Sequence, residues 1–207
     1  MKNNFNLIAF CYDPLSRLVF GNSLRRSQII LLDHLRGGQK LLILGGGTGW
    51  ILKEIQKRYT NIHIDYVELS GKMIRKAKRK NNLHATPVNF LQADVRELQA
   101  ENLYDCVIAF YFFDLFELAS LQQVISFVHK SLKPEGKLLM ADFEWSDTIK
   151  WKHKILMKIM YIFFKITASL EASSIGPFRE LLPKENFKLI FRSTSMQGFL
   201  SSEVYQK

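Results

Sequence analysis

The fold is decided by one stretch, which reads Leu41-Leu42-Ile43-Leu44-Gly45-Gly46-Gly47-Thr48-Gly49-Trp50. Four consecutive apolar residues are typical of a strand that is buried on both faces of a parallel sheet. The glycines that follow let another group approach the backbone closely, because glycine has no Cβ. The stretch therefore predicts a strand, a turn and a helix N-terminus that together can hold a ligand. A plain strand-to-helix turn would use the same glycines, so the rest of the chain must decide.

Apolar strands and amphipathic helices alternate after this stretch. The predicted strands are Lys40–Leu44, His63–Val67, Val88–Gln92, Asp105–Phe110 and Lys137–Phe143, and the predicted helices are Thr48–Tyr59, Gly71–Asn81 and Leu115–Leu132. Repeated strand–helix units indicate a parallel sheet with helices on both faces. Near the C-terminus, Phe187–Thr194 and Gly198–Tyr205 predict an antiparallel hairpin. The expected fold is α/β, a doubly wound sheet of about seven strands, mostly parallel with an antiparallel C-terminal strand.

Two helical additions flank this alternation. Residues 1–36 precede the first core strand and show a helical pattern, which Gly21-Asn22 interrupts. Residues 144–182 contain a long segment, Ser146–Leu170, that is rich in Met, Phe, Ile and Lys. Without a linker between them and the sheet, we expect one domain over residues 1–207, with the second addition as a cap on the acceptor side. A helix that simply packs on the core is the alternative for that segment.

Two acidic residues follow neighbouring strands of the predicted sheet. Glu68 ends the second strand, where a carboxylate can accept hydrogen bonds from both hydroxyls of a ribose. Asp94 follows the third strand and could accept from the exocyclic amine of adenine, while the Val95 N–H meets a ring nitrogen. A solvated glutamate and a helix N-cap are the alternative readings of the two carboxylates. Together with the glycine turn, they predict a crevice for an adenosine.

Several motifs in order resemble the class I S-adenosylmethionine-dependent methyltransferases, a Rossmann-like family. They are the glycine turn, Val67-Glu68-Leu69-Ser70 with Met73, Gln92-Ala93-Asp94-Val95, and Leu132-Lys133-Pro134-Glu135-Gly136. The resemblance implies S-adenosylmethionine as cofactor. The cofactor-binding residues that it implies are Gly45, Gly46, Gly47, Gly49, Glu68, Leu69, Met73, Asp94, Val95 and Phe110. The N-terminal Tyr12-Asp13-Pro14-Leu15 and the late helical insertion resemble, more loosely, the quinone-type C-methyltransferase branch.

This chain also departs from the family pattern. The usual acidic residue of the first motif is Ile43 here, and Ala109-Phe110 stands where relatives carry a small polar residue or Asn. Weakened cofactor binding, or a cofactor-binding regulator without catalysis, is therefore an open alternative. A dinucleotide oxidoreductase is disfavoured, because its fingerprint requires glycine where this chain has Trp50.

Methyl transfer needs an acceptor held in line and, where the acceptor loses a proton, a base. Asp114, which follows the fourth predicted strand, is the first candidate, with a helix N-cap as the alternative. Tyr12, Asp13 and Asp142 are further candidates. The five histidines form no motif.

Composition narrows the classes of partner. The formal net charge is +10, which suits nucleic acid, an anionic membrane surface or acidic substrates, although solvated helix faces also explain it. The adenine-methylating Asn/Asp-Pro-Pro-aromatic motif is absent after the fourth strand, so nucleic acid is disfavoured and an RNA methyltransferase remains the minority reading. Two cysteines predict neither a disulfide framework nor a metal site and suit the cytoplasm. We expect a small, hydrophobic or aromatic acceptor, with peripheral membrane contact through the basic edge of the late helical segment.

Overall fold

The structure, a computed structural model, describes residues 20–80, 86–144 and 176–207. Its centre is a seven-stranded sheet in the order β3-β2-β1-β4-β5-β7-β6. The strands are β1 (Lys40–Leu44), β2 (His63–Val67), β3 (Val88–Leu91), β4 (Tyr104–Phe110), β5 (Leu132–Phe143), β6 (Lys188–Ser195) and β7 (Leu200–Gln206). The helices are α1 (Ser23–Leu32), α2 (Trp50–Arg58), α3 (Gly71–Lys80), α4 (Leu118–Ser131) and α5 (Phe178–Lys184).

The strand directions confirm the predicted sheet. Strands β1 to β5 pair in parallel, whereas β7 pairs antiparallel with both β5 and β6. In the register of the sheet, Leu44 lies beside Val67 on one side and Ala109 on the other. The carboxyl ends of β1, β2 and β4 are therefore level, and the turns that follow these strands meet at one edge of the sheet.

A hydrophobic core lies on each face of the sheet. One contains side chains from α4 and α5, such as Val124 and Leu182, together with Leu138 and Met140 of β5. The other contains side chains from α1, α2 and α3, among them Leu31, Leu52 and Ala77. Because β5 alternates its side chains between the two cores, the sheet is covered on both faces, as the expected fold class requires.

Two helices begin later than predicted. Helix α2 begins at Trp50 and not at Thr48, because Gly49 before it has a φ of +76°. Residues Phe113–Leu115 form a separate 3-10 turn, so α4 begins only at Leu118.

Strand β5 begins at Leu132 and not at the predicted Lys137, and it contains an irregularity between these two residues. The register passes from Tyr104 beside Leu132 directly to Cys106 beside Lys137, so extra residues of β5 bulge out between these pairs. Glu135 in the bulge has a φ of +63°.

The predicted additions are described only in part. Helix α1 belongs to the N-terminal addition and packs on β5, β6 and β7. Tyr12, Asp13 and the segment Ser146–Leu170 lie outside the described residues. Among the residues that the structure does describe, no helix has the length and apolarity needed to cross a membrane.

Candidate cofactor site

The glycine turn after β1 is held from both sides by residues of β2 and its following loop. The backbone N–H of Gly47 donates to Oε2 of Glu68 at 2.9 Å, and the carbonyl of Gly47 accepts from the Tyr66 hydroxyl at 2.9 Å. Gly47 has a φ of +63°, a left-handed conformation that a side chain would strain. The turn is thus fixed by two hydrogen bonds at a single peptide position.

Gly45 and Gly46 are close to protein side chains. A Cβ on Gly46 would lie 2.1 Å from Cζ of Tyr66, and one on Gly45 would lie 2.5 Å from Cδ2 of Phe112. These two glycines therefore make room for aromatic rings, which the sequence did not indicate. The space beside Gly47 is different, because the nearest heavy atom of the described residues to a Cβ there would be 4.0 Å away. This open side is where a ligand can lie directly on the backbone.

Glu68 lies buried between the glycine turn and the start of α3. Its Oε1 accepts from the N–H of Ser70 at 2.8 Å, while its Oε2 accepts from Gly47. Burial raises the pKa of Glu68, and the backbone N–H groups of Ser70, Gly47 and Leu69 oppose that rise because they stabilise the ionised form. These three donors occupy three of the four lone-pair positions of the carboxylate and leave one for a ligand. Glu68 can therefore order the turn and still accept from a ribose hydroxyl.

These features fit S-adenosylmethionine. An open backbone position at Gly47 stands beside a buried carboxylate with spare acceptor capacity, and both lie at the carboxyl edge of a parallel sheet. Leu69 and Met73 are also predicted to bind the cofactor. Leu69 directly follows Glu68, and Met73 lies in the first turn of α3. Met73 is buried, and its N–H donates to the Ser70 hydroxyl at 3.2 Å.

Asp94 makes the contacts of a helix N-cap. Its Oδ1 accepts from the backbone N–H of Arg96 at 3.0 Å, and the Arg96 guanidinium bonds both carboxylate oxygens, through Nε at 3.0 Å and Nη2 at 2.6 Å. This ion pair holds the pKa of Asp94 below its ordinary value. The alternative reading of Asp94 is thus present in the structure. Hydrogen bonding of Asp94 and the adjacent Val95 to adenine stays a prediction. It requires the Asp94 carboxylate to accept from adenine and from Arg96 at the same time.

The carboxyl end of β4 is aromatic. Phe110 is half-buried and lies beside Ala141 of β5. Tyr111 follows with a φ of +52°, which is uncommon for a bulky residue, and its hydroxyl is 2.7 Å from Oγ of Ser27 on α1. The ring of Phe112 then covers Gly45 and lies 5.0 Å from the ring of Phe116. This aromatic wall, Phe110 to Phe116 with Phe143, stands next to the glycine turn.

Asp114 is buried within this wall and is not the cap of a helix. Phe112, and not Asp114, is the N-cap of the 3-10 turn, and within the described part of the chain Oδ1 of Asp114 has no hydrogen-bond partner. A second buried aspartate, Asp142, follows Met140 and Ala141 near the end of β5. The negative charges of the two interact, so the structure brings together two residues that the sequence offered as separate base candidates.

Sequence reasoning missed two supports of the site. Tyr66 lies in β2 two residues before Glu68, and this polar-tipped aromatic residue in a buried strand was the available signal. The contact between Tyr111 and Ser27 joins elements far apart in the chain and left no signal. The described histidines lie elsewhere: His34 and His129, for example, contact Phe191 and Phe187. Within residues 20–80, 86–144 and 176–207, no group of three or more His, Cys, Asp or Glu side chains is arranged to hold a metal.

Methyltransferases are among the known proteins that this chain matches. Residues 41–136 match a family described as a methyltransferase domain. A malonyl-[acyl-carrier protein] O-methyltransferase from Priestia megaterium is 32% identical over 145 residues, a match that covers 69% of this chain and 51% of the relative. The ubiquinone/menaquinone biosynthesis C-methyltransferase of Blochmanniella pennsylvanica is 30% identical over 166 residues, covering 75% of this chain and 62% of the relative.

Solved structures extend the likeness of fold beyond the matched domain. A chain from the complex between the Haloferax volcanii Trm112 methyltransferase activator and a methyltransferase superposes with a TM-score of 0.73 at 13% identity. That superposition covers 100% of this chain and 98% of the other.

The sheet order, the glycine turn and these matches define the class. Residues 41–136 form a class I S-adenosylmethionine-dependent methyltransferase domain, with S-adenosylmethionine as its cofactor. The chain spans about half the length of the carrier-protein methyltransferases that it matches, at 54% and 51% of two of them.

Proposed function

We propose that this chain transfers the methyl group of S-adenosylmethionine directly to a small acceptor that is hydrophobic or aromatic. The observation that carries the proposal is the aromatic wall beside the glycine turn. Its rings contact one another: the ring centroids of Phe112 and Phe116 are 5.0 Å apart, and those of Tyr111 and Phe143 are also 5.0 Å apart. An apolar acceptor gains from leaving water for such a surface, whereas a strongly polar one loses hydration there.

The chain's own residues then have separate tasks. The cofactor, when bound, supplies a methyl group that its sulfonium sulfur already activates. Gly47 offers an open stretch of backbone, Glu68 offers carboxylate oxygens for a ribose, and the aromatic wall excludes water from the acceptor side. We assign the base to Asp114, whose Oδ1 is buried and has no partner in the described protein.

The matched relatives bear on the acceptor in different ways. One is named for O-methylation of a malonyl group on a carrier protein, and the other for C-methylation in quinone biosynthesis. The aromatic wall favours an acceptor with an apolar ring, which is closer to the second chemistry. The cap predicted over residues 144–182 would cover such an acceptor. Its proposed contact with a membrane surface rests on the sequence, because residues 145–175 lie outside the described part of the chain.

The test is a calorimetric titration with S-adenosylmethionine, followed by a screen of acceptor pools that measures S-adenosylhomocysteine. We expect binding by the wild type, weaker binding by Glu68→Ala and Asp94→Ala, and product formation with a pool of small aromatic compounds. Unchanged affinity in both variants would remove the assigned cofactor site.

The alternatives give different results in the same screen. A regulatory or scaffold protein would bind the cofactor and form no S-adenosylhomocysteine with any pool. An RNA methyltransferase would form it with an RNA mixture, in a reaction that weakens steeply with added salt.

A further inference from the structure

Two buried aspartates meet at the carboxyl ends of β4 and β5. Asp142 is fully buried and Asp114 is 5% exposed. The backbone N–H of Asp114 donates to the Asp142 carboxylate, and the negative charges of the two carboxylates interact, so the two side chains lie close together. We call Asp114 and Asp142 the aspartate pair.

Each member of the pair has an oxygen without a partner. Oδ1 of Asp114 and Oδ2 of Asp142 have no hydrogen-bond partner among the described residues, although Oδ1 of Asp142 accepts from the N–H of Phe143 at 2.8 Å. An unsatisfied carboxylate oxygen in a buried position is costly, so an arrangement with two of them requires explanation. A proton held between the carboxylates, or a ligand that donates to them, would satisfy both oxygens.

The surrounding charges do not satisfy the pair. Arg179 of α5 donates its Nε to Glu203 of β7 at 3.0 Å and its Nη1 to the carbonyl of Phe143 at 3.2 Å. Arg192 of β6 pairs with Glu144, which follows β5. Arg179 lowers the pKa of Asp142 through its charge and Glu203 raises it, so these two neighbours act in opposite directions. Among the described residues, neither aspartate of the pair has an ion-pair partner.

The position of the pair is that of an acceptor site. The aromatic residue two before Asp114, Phe112, covers Gly45 of the cofactor turn. Asp142 is on the same face of β5 as Met140, which is the face that α4 and α5 cover. It is the last residue of β5 on that face and lies at the carboxyl edge of the sheet. In sheets of this kind, ligands bind outside the carboxyl ends of the strands.

We propose that Asp114 and Asp142 share one proton and together take up the proton that the acceptor loses on methylation, which makes the acceptor atom a neutral hydroxyl, amine or ring carbon that carries a hydrogen. In this step the acceptor atom bonds to the methyl carbon, and the carbon–sulfur bond breaks with its electrons passing to sulfur. The acceptor's proton moves to the aspartate pair. The products are the methylated acceptor and S-adenosylhomocysteine, and the pair later returns the proton to water.

This proposal rests on the methyl transfer proposed above and narrows its substrate class. A carboxylate acceptor has no proton to give up and would be repelled by the pair. Burial, the largest effect, raises the pKa of Asp142 to about 7. Burial and then the charge of Asp142 raise the pKa of Asp114 well above its ordinary value. A base is most effective when its pKa lies near the working pH, so the shift agrees with the role inferred from the geometry.

The first arm of the test is a pH titration of the full-length protein, with aspartate carboxyl carbons labelled for NMR. We expect two coupled carboxyl resonances, one of which titrates near neutral pH. In Asp142→Asn, the Asn oxygen can still accept from Phe143, and the remaining Asp114 should titrate at a lower pH than in the wild type because its charged neighbour is gone. Two aspartates that ionise in the ordinary carboxyl range would overturn the proposal.

The second arm measures S-adenosylhomocysteine formation against pH with the best acceptor pool from the screen. Asp142→Asn and Asp114→Asn should each lower kcat about 100-fold or more and remove the neutral-pH limb of the profile, while the calorimetric Kd for S-adenosylmethionine stays within about twofold. Asp105→Asn, at the amino end of β4, is the matched control and should keep the wild-type kcat and the neutral-pH limb of the profile. Wild-type rates and profiles in both pair variants would overturn the proposal, whereas loss of cofactor binding by the wild type would instead contradict the methyltransferase function.

Discussion

The hydroxyl of Tyr66 donates a hydrogen bond of 2.9 Å to the carbonyl of Gly47, the residue whose N–H is bonded to Glu68. The first motif of this chain has Ile43 where the family carries an acidic residue that orders the glycine turn. Ile43 is buried in the core and offers no hydrogen bond. Tyr66 and Glu68 therefore supply, from the neighbouring strand, the support that Ile43 does not.

Removal of the Tyr66 hydroxyl should loosen the turn. In Tyr66→Phe the ring still fills the space beside Gly46, but the carbonyl of Gly47 loses its donor. We expect a loss of about 1–2 kcal/mol in the free energy of unfolding and roughly fivefold weaker binding of S-adenosylmethionine. Urea denaturation and calorimetry measure the two effects.

Tyr59→Phe is the matched control for that change. The Tyr59 hydroxyl also donates to a backbone carbonyl, that of Leu32 at 2.7 Å, but it lies at the end of α2 and away from the glycine turn. The control should lose a similar amount of stability and keep cofactor affinity. Equal loss of affinity in both variants would show that general destabilisation, and not the Gly47 bond, weakens binding.

A methyl group on Gly47 should affect ligand binding more than folding. The added Cβ has room, but the φ of +63° strains any residue other than glycine by roughly 1–2 kcal/mol. Gly38→Ala carries the same kind of strain, at a φ of +79° and with no heavy atom within 4 Å. Thermal unfolding should place the two variants close together, whereas calorimetry should show weak cofactor binding in Gly47→Ala alone. Normal binding in Gly47→Ala would mean that the open side of this glycine does not face the ligand.

The pH dependence of stability should reveal the burial of Asp142. A carboxyl whose folded-state pKa is raised stabilises the fold below its unfolded pKa of 3.8, and this contribution is lost as the pH rises to about 7. Asp142→Asn lacks that loss, so its stability relative to the wild type should rise between pH 4 and pH 8. Urea denaturation at several pH values in this window measures the difference.

Asp105→Asn provides the opposite case in the same titration. Burial raises the pKa of Asp105, but its bonds to Lys133 and the Lys40 N–H prevail, and the net pKa lies below the ordinary value. The stabilisation is then lost only as the pH falls below that value, so the Asp105→Asn difference should stay nearly constant from pH 4 to pH 8. A flat difference for Asp142→Asn as well would contradict its raised pKa.

The buried carboxylate of Glu203 makes Arg179 important for stability. Glu203 is fully buried, and its Oε1 accepts from Arg179 at 3.0 Å and from Ser201 at 2.7 Å. Arg179→Ala leaves this charge with Arg192 at 3.6 Å, so we expect a loss of about 3 kcal/mol, measured by urea denaturation. Arg179→Ala combined with Glu203→Gln should recover part of that loss.

An ion pair that is more exposed to solvent provides a comparison for this loss of stability. Lys133 and Asp105 form an ion pair of 2.7 Å with side chains 43% and 29% exposed, so Lys133→Ala should cost less than about 1 kcal/mol. Similar losses in Lys133→Ala and Arg179→Ala would mean that the buried Glu203 does not depend on Arg179 for stability.

The structural features that could be predicted from the sequence are those that depend on a local pattern of residues. Strand β1 was recognisable because its apolar residues are contiguous, and Glu68 because it follows such a strand. The sequence predicts a helix from Leu115, since Leu115 continues the helical pattern of α4, whereas Leu115 ends a 3-10 turn and α4 begins at Leu118. The pairing of Asp114 with Asp142 depends on how β4 and β5 align across the bulge at Glu135. Such a long-range register has no local signal, and neither does the contact between Tyr111 and Ser27.

The position of β7 has a consequence for how the chain folds. The latest of the described strands to be synthesised, Leu200–Gln206, lies between β5 and β6. On a ribosome, β6 can therefore join the growing sheet only after β7 has emerged, and until then β5 presents an unpaired edge. The nascent chain must keep that edge from pairing with other chains, so an exchange of β7 between two molecules is the misfolding route that this topology favours.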